Sequence, residues 1–190
     1  MTPTTRDLML DVATRLLDDG GVGAVTLREV GHGAGVSHMA PYKHFAGKED
    51  LLAAVAAREL TRLAGRLAEI RTRAPDAALR AAMRQYVAWA LEHPARFKLV
   101  FGAWSADTQG LGAAAETAHT ALVDLVTRAQ RAGALPAGDP VRLGALIRAL
   151  AHGAADLASA GHLAPGGKGH ASADDLVDDL LAYLRGAARR

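Results

Sequence analysis

The chain has 190 residues, half of them hydrophobic but only 4% aromatic, with a net charge of +2 and no cysteine. The missing cysteine excludes a disulfide scaffold, thiol catalysis and Cys-type zinc fingers. So small a positive excess does not suit a non-specific nucleic-acid coat, and the placement of charge matters more than its total. The length allows one large domain or a small head on a larger body. Ala, Leu, Arg and Glu favour helix, Ile is scarce and Asn is absent, so an all-α fold with an aliphatic core is expected. Met1 to Asp11 do not read as a signal peptide and no apolar run is long enough to span a bilayer, so a reducing cytoplasm is the expected location.

Leu8, Val12 and Leu16, flanked by Met9, Ala13 and Leu17, predict one apolar face of a first helix from about Thr5 to Asp19. Gly20-Gly21 ends it. Thr26-Leu27-Arg28-Glu29 reads as a capping box opening a short helix to about Ala34. Gly31 and Gly33 inside that helix each cost about 1 kcal/mol against Ala, which predicts a soft element. Gly35 takes the positive φ that closes it, and Ser37 caps a third helix reaching His44. A long helix follows from Lys48 to Arg71, with Leu51, Leu52, Val55, Leu60, Leu63, Leu67 and Ile70 on its apolar side. The next covers 76–92 and stops at His93-Pro94, because proline cannot continue it. Helices at 95–105, 112–132, 140–162 and 173–188 complete nine, with no strand and no repeat. The predicted organisation is a three-helix head over 1–47, a connecting helix over 48–71 and a helical bundle over 72–190.

Two short helices joined by a glycine-containing turn outline a DNA-reading unit. Leu27, Val30, Ala34 and Val36 would hold the first against the second, which then presents polar tips outward. Thr26-Leu27-Arg28-Glu29-Val30, Ala34-Gly35-Val36-Ser37, Pro41-Tyr42-Lys43-His44-Phe45 and Lys48-Glu49-Asp50-Leu51-Leu52 together closely resemble the DNA-binding domain of TetR-type (TetR/AcrR) regulators. The resemblance covers residues 8–55. Tyr86–Phe101 and Ala151-His152-Gly153 resemble the subgroup whose C-terminal domain is named for a Trp-His-Gly motif, although Leu150 and Ala151 stand where its Trp would be.

Lys48 stands at a helix N-terminus, where a cation opposes the macrodipole. That placement makes sense if a phosphate lies there, held by the lysine and free backbone N–H groups. Tyr42 and His44 offer a hydroxyl and an imidazole, and the resemblance assigns these positions to phosphate contacts as well. Thr26 and Arg28 suit the backbone of the opposite strand. Base reading falls to Ser37, His38, Met39 and Lys43. The recognition segment has no Arg, Asn or Gln, the usual bidentate partners of guanine and adenine. Lys43 or His38 is therefore expected to read guanine, with Met39, Ala40 and Pro41 against thymine methyls. Phe45 is expected in the core of the head, while Tyr42 is compatible with either core or surface.

In the body, Tyr86 and Trp89 lie i, i+3 on one predicted helix, and Phe97, Phe101 and Trp104 follow on the next. Both sets are compatible with one cavity for a small hydrophobic ligand, with His119 and His152 as polar contacts, or with plain core. Ala145, Ala149, Gly153 and Ala154 permit close helix approach, which predicts a homodimer through helices 140–162 and 173–188. Two recognition elements about 34–36 Å apart would then enter successive major grooves. The acidic run Asp174-Asp175 and Asp178-Asp179 reads as a solvated face, not a metal site.

Gly110-Leu111-Gly112-Ala113-Ala114-Ala115 matches a dinucleotide fingerprint without the required strand, and Gly166-Gly167-Lys168-Gly169 lacks the hydroxyl residue of a phosphate loop. No Gly-x-Ser-x-Gly and no His spacing of a metal site occurs, so no catalytic residue, cofactor or metal is expected. The expectation is a ligand-responsive repressor that binds double-stranded operator DNA. The alternative is a helical small-molecule-binding protein or enzyme that keeps the head only as a fold element.

Overall fold

The computed structural model describes residues 3–70, 72, 74–104 and 110–189. Among them it forms eight α-helices and one short 3-10 turn, without a strand. The helices are α1 (Thr5–Ala24), α2 (Leu27–Gly33), α3 (Lys48–Ala68), α4 (Pro75–Glu92), α5 (Pro94–Val100), α6 (Leu111–Arg131), α7 (Pro140–Ser159) and α8 (Ala173–Ala188). No helix of the described residues is long and apolar enough to cross a membrane.

The ninth predicted helix, over 37–44, is instead a run of turns with a single 3-10 turn at Pro41–Lys43. An α-helix opened by Ser37 needs an N–H at residue 41 for its first bond, and Pro41 has none. The chain takes three-residue bonds instead, Ala40 N–H to Ser37 O at 2.9 Å and Lys43 N–H to Ala40 O at 3.1 Å. Three other spans shorten. α3 stops at Ala68, α5 at Val100 and α7 at Ser159; Arg71 and Ser105, where the first two predicted spans end, lie outside the described residues. α1 runs past its predicted stop, since Gly21 (φ 67°, ψ −170°) kinks the chain and one further turn follows. Its buried face also turns: Met9, Leu10, Val12, Ala13 and Leu17 are inside, whereas Leu8 is 40% exposed.

The chain forms two compact units, residues 1–62 with 93–116, and residues 63–92 with 117–190. In the first, α2 and α5 both pack on α1. Met9, Leu17, Val30, Phe45, Leu51 and Val55 form the apolar core, each no more than 2% exposed. A buried polar network crosses it. Arg58 of α3 donates to Asp11 (2.7 Å), to the Leu10 carbonyl (2.8 Å) and to Thr14 Oγ1 (2.7 Å) on α1. Beside it the Glu59 carboxylate, fully buried, accepts from Arg62 at 2.8 Å and lies 3.6 Å from the Arg96 guanidinium of α5. Arg96 in turn grips Asp18 of α1, its Nε donating at 2.9 Å.

In the second unit, α7 packs against both α4 and α8. Leu79, Val87, Leu125, Val126, Ile147 and Val177 are buried there with a large share of alanines. Asp178 of α8 pairs with Arg80 (3.3 Å) and Arg84 of α4, and Asp76 pairs with Arg185 at 3.3 Å. Ser172 and Asp175 form a reciprocal cap at the start of α8. The acidic run is therefore partly committed to structure.

Candidate nucleic-acid interface and ligand site

The head is built by local rules. Thr26 is extended (φ −131°, ψ 153°) and its hydroxyl accepts from Glu29 N–H at 3.1 Å, which starts α2. Gly35, at φ +66°, reverses the chain after the Ala34 cap, and Val36 N–H returns to the Gly31 carbonyl at 3.1 Å. The two glycines of α2 are required by close approach. A Cβ on Gly33 would stand 2.7 Å from Val12 Cγ1, and one on Gly31 would stand 3.0 Å from Pro41 Cγ. The expected softness of α2 is thus offset by tight seating on α1 and on the turn.

This packing sorts the motif into two sets. Leu27, Val30, Pro41 and Phe45 are buried. Thr26, Arg28, Ser37, His38, Met39, Tyr42, Lys43, His44 and Lys48 are all exposed. Met39 (54%) and Tyr42 (55%) are large apolar surfaces left open to solvent. Tyr42 is therefore a surface residue and Phe45 a core one. Pro41, expected against thymine methyls, is instead buried under Gly31, which leaves Met39 and the half-buried Ala40 of that set at the surface. Ala46 N–H donates to Asp50 at 3.0 Å, fixing the loop before α3 so that Lys48 opens the helix at the surface. Arg6, outside the motif, lies with its guanidinium carbon 5.3 Å from the Phe45 ring centroid.

The residues expected at a ligand site divide between the two units. Tyr86 and Trp89 of α4 pair at 6.4 Å between ring centroids, and the Tyr86 hydroxyl is 2.9 Å from His152 Nδ1 on α7. Burial raises the Tyr86 hydroxyl well above the ordinary phenol range, so it stays protonated. Burial also lowers the His152 imidazole, an effect opposed by Asp156 and reinforced by Arg148. A neutral His152 can accept the Tyr86 proton at Nδ1. His119 is half-buried on α6. Phe97 and Phe101 belong to the other unit and pack edge-on at 5.4 Å. Trp104 lies beyond the end of α5, beside Val22, Leu52 and Leu99.

Sequence reasoning missed Arg6, Arg58, Glu59 and Arg96. The partners of Arg6, Arg58 and Arg96 lie far along the chain, 78 residues in the case of Arg96 and Asp18, and only the Glu59–Arg62 pair has a local spacing.

A helix-turn-helix regulator that contacts DNA with an exposed polar face over a buried apolar hinge is the class this fold and surface define. Residues 9–55 match the model for bacterial regulatory proteins of the tetR family, and residues 79–181 match the model for a tetracyclin repressor-like C-terminal domain. A solved protein of unknown function from Rhodococcus sp. RHA1 is 30% identical, with a TM-score of 0.82 over 98% of this chain and 96% of that one. A TetR-family transcriptional regulator from Pectobacterium atrosepticum is 25% identical, with a TM-score of 0.72 over 96% and 93%. The regulator FadR from Bacillus subtilis, solved with stearoyl-CoA, is 15% identical, with a TM-score of 0.68 over 95% and 96%. No curated relative matches the sequence. The chain belongs to the TetR family of bacterial transcriptional regulators. It is a DNA-binding regulator and not an enzyme.

Proposed function

We propose that the protein is a ligand-responsive repressor that binds double-stranded operator DNA as a homodimer and is released by a small hydrophobic molecule. The observation that carries the DNA half is the sorting of the motif: the nine side chains assigned to phosphates and base edges are exposed, while Leu27, Val30, Pro41 and Phe45 between them are buried. Tyr42, His44 and Lys48 hold phosphates of one strand, Thr26 and Arg28 those of the other. Ser37, His38, Met39 and Lys43 read bases. Residues 1–47 act as the head, 48–71 as the connecting helix and 72–190 as the ligand-binding and dimerisation body.

For the dimer, the support is on α7 and α8. Leu146 (54%), Leu157 (47%) and Tyr183 (77%) are exposed apolar side chains, with Ala145, Ala149 and Ala182 exposed among them. Such a surface is unfavourable in water and suits a two-fold helix pairing. For the ligand, Tyr86, Trp89 and His152 supply aromatic walls and one polar pair. FadR, which shares this fold, is solved with stearoyl-CoA, a molecule that carries a long apolar acyl chain. Induction means that ligand and DNA prefer different conformers.

Gel-shift titration with the DNA flanking the protein's own coding sequence tests this reading. Sharp, salt-sensitive binding at one site is expected, and no site-specific shift at any salt would refute it. Lys43→Ala should relax preference at one base position by about 1–3 kcal/mol. Uniform weakening across sequences would instead make Lys43 a phosphate contact. A monomer in sedimentation at micromolar concentration would defeat the dimer, and ligands that bind tightly without changing operator affinity would defeat the switch.

A further inference from the structure

We infer that Arg6, at the start of α1, is a further DNA-backbone contact, holding a phosphate beside the one assigned to Tyr42, His44 and Lys48. The inference rests on the DNA-binding reading above and extends its surface to a helix outside the motif.

Arg6 is positioned twice. Its backbone sits in a helical turn fixed by a reciprocal cap, Asp7 N–H to Thr4 Oγ1 at 3.1 Å and Thr4 N–H to Asp7 Oδ2 at 3.0 Å. Its guanidinium lies over Phe45, 5.3 Å from the ring centroid. Phe45 is 2% exposed and stands in the chain directly after His44 and three residues before Lys48. The ring thus ties the Arg6 cation to the loop that carries the phosphate-binding side chains. Arg6 itself is exposed, and among the described residues no carboxylate forms a salt bridge with it. The neighbouring carboxylate, Asp7, accepts from Thr4 through Oδ2 and feels the Arg6 charge without forming an ion pair with it.

A guanidinium held near an aromatic ring by its charge still carries N–H edges able to donate. Those edges match two phosphate oxygens in a planar fork, which an ammonium cannot do. The side chain is therefore held in place before DNA arrives, and little rotamer freedom remains to be lost on binding. The competing role is purely structural: Arg6 shields the edge of Phe45 with its aliphatic stem. That role needs the stem and the ring contact but not the charge, and it makes no contribution to salt dependence.

Arg6→Met keeps a stem over Phe45 and removes the charge; Arg6→Lys keeps both. Binding of wild type and both variants to the operator duplex is measured between 50 and 200 mM salt, alongside thermal melts. Each phosphate contact contributes about 0.9 to the slope of log K against log salt. Arg6→Met should lower the slope by about 0.9 per protomer, so the affinity lost over this fourfold salt range shrinks by about 3.5-fold per protomer. The same reduction should appear on unrelated duplex DNA, while Arg6→Lys retains the wild-type slope. A wild-type slope in Arg6→Met, with wild type still binding, overturns the role of Arg6 alone. No salt-sensitive binding by wild type overturns the DNA-binding reading itself.

Discussion

The two units solve the same problem, holding amphipathic helices together, by different means. The head unit carries charge in its interior: Glu59 is fully buried, Arg96 is 17% exposed, and Arg58 makes three hydrogen bonds to α1. In the body unit the ion pairs between α4 and α8 stay partly exposed, and a neutral contact, Tyr86 with His152, joins α4 to α7. Apolar burial is non-directional and tolerates small shifts, whereas a buried charge needs its partners at fixed positions. Arg96 and Arg58 accordingly fix α5 and α3 on α1.

Arg96→Ala tests the electrostatic side and carries the largest expected effect. It strips Asp18 of its partner and leaves Glu59 with Arg62 alone. A loss of about 3 kcal/mol is expected in urea unfolding, the low end for breaking a buried pair because Arg62 still holds one carboxylate oxygen. Arg96→Met combined with Glu59→Met should recover part of that loss, since both charges are then gone. If the double variant is no more stable than the single one, the head is held by packing and the contrast between the units fails.

A pair of glycines sharpens the comparison on the packing side. Gly33→Ala brings a methyl to 2.7 Å from Val12 Cγ1, and Val12 is buried and stiff at χ1. Overpacking of this kind costs about 1–3 kcal/mol, more than the helix propensity gained. Gly65, within α3 in the other unit, has nothing within 4 Å of an added Cβ. Gly65→Ala is therefore expected to stabilise by up to about 1 kcal/mol. Opposite signs in chemical unfolding are the expected result. A gain at both positions would mean that α2 does shift to accommodate the methyl, as its glycine content alone implies.

Much of this architecture was legible from short-range chemistry. Thr26 as a cap, Gly35 at positive φ and the stop before Pro94 depend on neighbours within four residues, and each appears where the sequence places it. The family was legible for the same reason, since the N-terminal motif spans one continuous stretch. The helix over 37–44 was misjudged because Ser37 and the polar spacing argue for an α-turn while Pro41 removes its first hydrogen bond, and the second effect wins. The face of α1 was misjudged because Leu8 and Met9 are equally apolar, and only the partners α2 and α5 decide which one turns inward. Arg96, Asp18 and Glu59 meet across long chain separations, so no window of sequence contains the evidence for the network.

The smallest expected effect concerns the neutral contact between α4 and α7. Tyr86→Phe removes the hydroxyl that meets His152 Nδ1 and keeps the ring beside Trp89, so a loss of about 1 kcal/mol is expected. The same pair predicts a pH dependence of definite sign. Burial holds the His152 imidazole below its ordinary value, so the unfolded chain takes up a proton there before the folded one does. The contribution of this site is complete above the ordinary histidine pKa, about 6.5. It is lost as the pH falls from there through the lowered folded value. His152→Gln, which stays neutral throughout, should flatten that part of the stability profile measured by urea unfolding between pH 7 and pH 5. Asp156, one turn away, works against the shift, so Asp156→Asn should lower the imidazole further and steepen the same profile. If Asp156→Asn flattens the profile instead, burial is not the dominant influence on His152, and the body would hold a charge-dependent contact of the kind assigned to the head.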